Sequence, residues 1–282
     1  MKCECHGHII ADGVSYHDAM ARHLSGVDRE YVRRALEQVA ACGVTFYRDG
    51  GDKYMVSAYA KEIAGEYGID YRTPVWISYK KGHYGSMYGR PFDSPRDFRA
   101  LLKEALALGA DFVKITVSGM LSFDGHGEVM GAPFLGRELR EVVHIAKGEG
   151  LAVMAHVNGA PFIKAALEAG VDSVEHGFWP DETVIGHFLD AKAVWVPTSV
   201  TVRNQIGKGR FDDALMRRIL EDQAQILKKA YEKGVLIASG SDCGANNVFQ
   251  GSGTLDEIRY LSELGIDPAR GNEEIMRRFK RL

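Results

Sequence analysis

Eight short apolar runs alternate with amphipathic ones along this chain of 282 residues, and that alternation restricts the fold more than any other feature. The runs at 3–10, 44–49, 73–78, 111–117, 151–156, 171–176, 193–198 and 235–239 read as strands. Helical periodicity follows them at 28–41, 56–67, 97–108, 136–147, 160–169, 182–190, 212–233 and 272–282. Asp28 is placed to cap the first of these helices. Repeatedly a glycine stops the helix just before the next strand, at Gly43, Gly68, Gly109, Gly150, Gly170 and Gly234. Strands that alternate with helices at this spacing belong to a parallel sheet. Eight such units in one chain of this length predict an α/β fold, a (β/α)8 TIM barrel forming a single domain over 1–282. The alternative is an open doubly wound sheet, but no Gly-x-Gly-x-x-Gly follows the first strand.

Charge excludes several partners. With 35 basic and 38 acidic side chains the formal net charge is −3, which offers no general attraction to nucleic acid or anionic membranes. No apolar run reaches the length of a membrane span, and no charged-then-apolar leader precedes the first strand. Cys3, Cys5, Cys42 and Cys243 have neither zinc-finger spacing nor the pattern of a disulfide framework. Reduced thiols in a cytoplasm are the expectation.

In a barrel of this kind the active site lies at the C-terminal ends of the strands. The first strand ends in His6-Gly7-His8. Alternate side chains of a strand share a face, so both imidazoles point the same way and can grip one metal ion. Strand five ends at His156, strand six at His176, and Ser241-Asp242 lies just past strand eight. In strand four, Val113, Ile115 and Val117 share the face that packs on helices, so Lys114 and Thr116 point into the barrel. A lone ammonium buried there is costly and must lose its proton or find a countercharge. Singly, each of these residues also fits a core or rim position. Together, at the ends and inner faces of strands one, four, five, six and eight, they point to a metal site.

The ordered set resembles the metal-dependent amidohydrolase superfamily, in its prolidase-like and imidazolonepropionase-like branch. The matching stretches are His6-Gly7-His8, Gly43-Val44-Thr45 with Arg48-Asp49, Gly109-Ala110-Asp111-Phe112-Val113-Lys114-Ile115, and Ala155-His156-Val157-Asn158-Gly159. They continue with Val174-Glu175-His176-Gly177, Val196-Pro197-Thr198 and Ser239-Gly240-Ser241-Asp242-Cys243-Gly244. The resemblance implies a binuclear centre. His6, His8 and Asp242 would bind one divalent metal, His156 and His176 a second, and Lys114, carboxylated by carbon dioxide, would bridge the two. Zinc is the first expectation, although nitrogen and oxygen ligands also accept manganese, iron or cobalt. A hydroxide bridging the metals would attack an amide carbonyl, with Asp242 passing the proton to the leaving nitrogen.

The sequence departs from the branch in three places. With five residues before His6 and Leu282 as the last residue, the expectation is a barrel without the β-sandwich domain usual in this branch. Asn158 stands where a second histidine often follows the strand-five ligand. Past Asp242, Cys243-Gly244-Ala245-Asn246 replaces a stretch that often carries a histidine. Substrate contacts are expected from the strand-end loops, with Arg203, Tyr84 and His126 as the candidates. An arginine beside a metal site suits a carboxylate. The expected function is therefore hydrolysis of an amide bond in a small carboxylate-bearing or cyclic substrate, with a homo-oligomer as a further implication of the resemblance. The rival readings are a lactonase, phosphotriesterase or deaminase on the same site, and a non-catalytic ligand-binding barrel.

Overall fold

The computed structural model describes residues 1–281. Ten strands are present: β1 (Lys2–Gly7), β2 (Val44–Asp49), β3 (Asp70–Arg72), β4 (Ile77–Lys80), β5 (Arg90–Phe92), β6 (Val113–Thr116), β7 (Val153–Val157), β8 (Ser173–His176), β9 (Val194–Val196) and β10 (Leu236–Ile237). Every pairing between them is parallel. The order β1-β2-β3 continues, through the chain itself, into β4-β6-β7-β8-β9-β10. The segment after β10 then returns to β1. Cys5 N donates to Ser239 O at 2.8 Å, Asp242 N to His6 O at 2.6 Å and His8 N to Cys243 O at 2.8 Å. The ring of eight strand positions is therefore closed, a TIM barrel wrapped by helices.

The third barrel strand differs from the sequence expectation. Residues 73–76, read as part of one strand, are instead the break between β3, which pairs with β2, and β4, which pairs with β6. Pro74 has no N–H to give a ladder, and Val75 adopts a left-handed φ of 68°. The edge that β4 turns away from β2 is taken by β5, a short strand outside the eight apolar runs. A short helix at Tyr16–Ala21, capped by Ser15, lies between the first strand and the helix that Asp28 caps.

Outward side chains of the strands meet the amphipathic helices in the main core. Val113, Ile115, Val153, Ala155, Val174 and Trp195 belong to it, as the strand alternation requires. The inner face is filled below the mouth by Cys3, Cys5, Phe46, Phe112, Met154, Val194 and Val196, with Ile275 and Phe279 entering from the C-terminal segment. No helix among the described residues is long and apolar enough to cross a membrane.

β1 carries an irregularity that matters for the site. Glu4 pairs with Tyr47 and Gly7 with Asp49, so three steps on β1 span two on β2. A bulge of this kind shifts the phase of the side chains. Glu4 therefore reaches Thr254 on helix Ser252–Glu263, while His6 and His8 face the barrel mouth. The fully buried Glu4 carboxylate accepts from His6 N (3.0 Å), Ser241 N (2.8 Å), Ser241 Oγ (2.6 Å) and Thr254 Oγ1 (2.6 Å). It binds the first and last barrel strands to one helix. Removing it in Glu4→Ala would leave buried donors unanswered, and we expect a loss of about 3 kcal/mol in stability, read as a lower urea midpoint with an unchanged m-value.

Candidate metal centre

Four histidines, one lysine and one aspartate of the predicted set line a single cavity of about 590 Å³ at the C-terminal mouth of the barrel. His6 and His8 come from the end of β1, Lys114 from β6, His156 from β7, His176 from β8 and Asp242 from the segment after β10. One ligand atom each from His6, His8 and Asp242 fall within 4.8 Å of one another. Asp242 Oδ1 lies 3.6 Å from both His6 Nε2 and His8 Nε2. The ring centroids of His6 and His176 are 4.8 Å apart, and those of His176 and His156 4.5 Å apart.

Supporting contacts orient these rings. Glu175 Oε2 accepts from His6 Nδ1 at 2.7 Å, which leaves Nε2 as the lone-pair atom facing Asp242. His156 Nε2 donates to Gly119 O at 3.2 Å, leaving Nδ1. His176 Nδ1 lies 2.7 Å from Thr198 Oγ1, leaving Nε2. Glu175 is held by the fully buried Arg48, whose Nη2 donates to both carboxylate oxygens at 3.0 and 2.9 Å. Arg48 also donates to Cys5 O and Ser173 Oγ and lies over the Phe279 ring. Two glycines provide the space. A Cβ on Gly7 would come within 2.3 Å of Tyr47 Oη, and one on Gly50 within 2.2 Å of His8 Cε1.

Three site residues at strand ends adopt left-handed backbone: His176 (φ 66°), Thr198 (φ 48°) and Asp242 (φ 58°). Such conformations cost energy in non-glycine residues and persist only when the surroundings impose them. Here they turn the chain at the mouth so that successive residues both contribute. Glu175 and His176 are neighbours in β8, yet both act inside the barrel, where strict alternation would have sent one outward.

Electrostatics favour ligands over charges. Burial is the largest cause pushing every one of the four histidines below its ordinary range, with His8 and His156 brought down to about 3 and the Lys114 charge adding to the effect. At neutral pH all four imidazoles are neutral and offer lone pairs. Burial also lowers Lys114, against the pull of Glu175, and its Nζ has no hydrogen-bond partner. Asp242 is raised by desolvation, with the nearby Lys114 opposing. A cluster of neutral donors around an unpartnered amine and a carboxylate suits divalent cations.

The candidates for substrate contact fare differently. Tyr84 lines the cavity, its ring 4.8 Å from that of His156. Arg203 does not line it: its Nη2 is paired with Glu263 at 2.9 Å and its guanidinium lies over Tyr260. His126 lies on a separate surface groove, paired with Asp222 at 2.7 Å and packed against Trp179. Tyr88, stacked on His8 at 5.0 Å, and Arg210 line the cavity instead. Asn158 bridges loops, donating to Gly119 O and accepting from Phe178 N. Glu175 is the site residue that strand alternation does not point to, since its neighbour His176 also faces inward.

Known proteins share this architecture. The amidohydrolase family matches residues 9–275, a segment that begins just past His8. Ochratoxinase of Aspergillus niger is 25% identical over 299 aligned residues, which cover 93% of this chain and 60% of that protein. The chain thus spans less than two thirds of that relative's length. Among solved structures, a Xaa-Pro dipeptidase with bound methionine superposes with a TM-score of 0.75 at 24% identity, covering 97% of this chain and 72% of that one. The A. niger ochratoxinase structure superposes with a TM-score of 0.75 at 20% identity, covering 97% and 69%.

The Glu175 contact makes a measurable statement. Glu175→Gln weakens the acceptor for His6 Nδ1 and leaves Arg48 without its countercharge. Divalent-metal affinity should fall about 10–100-fold in chelator competition, normalised to the folded fraction from circular dichroism.

Proposed function

The chain belongs to the amidohydrolase family, and we propose that it is a metal-dependent hydrolase cleaving the C–N bond of an amide in a small carboxylate-bearing or cyclic substrate. The observation that carries the reading is the convergence of four neutral histidines, Asp242 and the unpartnered Lys114 Nζ in one cavity. His6, His8 and Asp242 would hold one divalent ion, and His156 with His176 a second. The orphaned amine is the test of fit. A lysine whose ammonium is disfavoured by burial has a neutral fraction that could add carbon dioxide, with loss of one proton, to give an anionic carbamate. Lys114 in that form would be an anionic ligand for divalent ions held by the surrounding histidines and Asp242, which would supply the partner its Nζ lacks. Bound divalent ions would supply Lewis-acid polarisation of the carbonyl and a lowered pKa for water.

The chain's own groups supply the rest. Asp242, held above the ordinary carboxylate range by desolvation, is suited to take a proton from the attacking water. It then returns that proton to the departing nitrogen, so that the amine leaves as a neutral group. The Glu175 carboxylate keeps the His6 imidazole in one tautomer, and the Thr198 hydroxyl holds the His176 ring in its orientation. Tyr84 and Tyr88, packed against His156 and His8, line the mouth beside the reacting centre. Ochratoxinase and a Xaa-Pro dipeptidase, as the latter's name states a dipeptide substrate, support an amide as the bond attacked.

Metal analysis and turnover test this together. The purified protein should hold close to two equivalents of divalent metal. Activity on a panel of N-acyl amino acids, dipeptides and cyclic amides should vanish with a chelator and return with metal plus bicarbonate. Less than about half an equivalent of firmly held metal, unrestored by these additions, rejects the reading. Asp242→Asn should reduce kcat by about 10²-fold or more while the fold persists, and a fully active variant would reject the proton-transfer role.

A further inference from the structure

Gln223 is fully buried on helix Asp213–Glu232, where its neighbours on the inward stripe, Ile219, Leu220, Ile226 and Leu227, are all aliphatic. An amide at such a position costs energy unless its donors and acceptor are met. Here they are. Nε2 donates to His176 O at 2.9 Å and to Pro197 O at 3.1 Å, and Oε1 accepts from Ser199 Oγ at 2.7 Å. Two carbonyls on one side and a hydroxyl on the other fix which way the amide faces.

These contacts bracket two residues of left-handed backbone. Pro197 and Ser199 flank Thr198, with φ 48°, and His176, with φ 66°, is itself the acceptor. Gly177 N donates to Glu175 O at 2.9 Å, so His176 is the centre of a γ-turn, and its positive φ gives that turn the rarer, strained hand. His176 O accepts a second bond, from the indole Nε1 of Trp195 at 3.0 Å. Trp195 has that access because Gly177 lacks a side chain: a Cβ there would come within 2.5 Å of the indole nitrogen. The His176 ring then meets Thr198, its Nδ1 2.7 Å from Thr198 Oγ1. Gln223 therefore grips the backbone on both sides of the ring's contact, although it does not line the cavity.

We propose that Gln223 is a positioning residue for the metal position at His156 and His176. With Trp195 as the second donor, it holds the strained backbone of His176 and Thr198, and so leaves His176 Nε2 facing the cavity. A metal at that position rests on the hydrolase reading above. The aim of the imidazole does not.

Gln223→Met separates the two, because it keeps the length of the side chain and the aliphatic stripe while removing both donors and the acceptor. Metal-free protein carrying isotopically labelled histidine is compared first by NMR of the ring nitrogens. The His176 signals, identified by their loss in His176→Asn, should shift or broaden in Gln223→Met while those of His6 and His8 stay in place. Trp195→Phe removes the indole N–H and keeps an aromatic ring on Phe188, so it should move the same signals and carries the comparison should Gln223→Met fold poorly. Leu227→Ala loosens the same helix in the main core and should lower the urea midpoint without moving them. Zinc titration against a competing chelator, in bicarbonate, should then show two binding steps in the wild type. In Gln223→Met one step should weaken about tenfold and the other stay within about twofold. Unmoved His176 signals in Gln223→Met and Trp195→Phe, equal movement in Leu227→Ala, or equal weakening of both zinc steps overturns the proposal. Selective movement of the His176 signals in a protein that holds less than about half an equivalent of zinc leaves the positioning role standing and rejects the hydrolase reading.

Discussion

Everything at the barrel mouth depends on the seam where the last strand meets the first. Backbone bonds from Cys5, His8 and Asp242 across that seam set His6, His8 and Asp242 side by side, although more than two hundred residues separate them in the chain. Glu4 secures the seam from behind by accepting four hydrogen bonds, from β1, from the returning segment and from helix Ser252–Glu263. Burial pushes this carboxylate above its ordinary range and the four donors push it back, so its fitness for the position depends on all of them being made. The bulge in β1 lets one short strand serve both purposes, presenting Glu4 to the helix and two histidines to the cavity.

A second buried assembly crosses the barrel below the cavity. Arg48, fully enclosed, ties β1, β2 and β8 together through Cys5, Ser173 and Glu175, and Glu175 passes that order on to His6. A buried ion pair adds little net stability, because desolvating both charges offsets most of their attraction. What it supplies here is orientation. The His6 ring is held in one tautomer, with its lone pair toward Asp242. Left-handed backbone at His176, Thr198 and Asp242 serves the same end by aiming side chains that a regular strand would turn away.

Above this rigid floor the loops divide into two kinds. Some are committed to structure: Arg203 to Glu263, His126 to Asp222, and Asn158 to the loops that flank it. Others present groups to the cavity, notably Tyr84, Tyr88, Phe123, Arg210 and Phe211. The floor thus suits one kind of chemistry, while the loops discriminate among molecules that could undergo it.

Local pattern alone determined the repeating strand–helix unit, the inward face of Lys114 and Thr116, and the shared face of His6 and His8, since each follows from a periodicity of 2 or 3.6 residues. Family resemblance extended this to an ordered ligand set that the fold brings into one cavity. Periodicity could not foresee the break at 73–76, the bulge in β1 or the inward turn of both Glu175 and His176, because each interrupts the regular alternation on which such reading relies. Nor could it tell Arg210 from Arg203. Both are arginines in one loop, and only the packing of Glu263 and Tyr260 against Arg203, and of Phe211 on Phe123, decided which guanidinium was left facing the cavity.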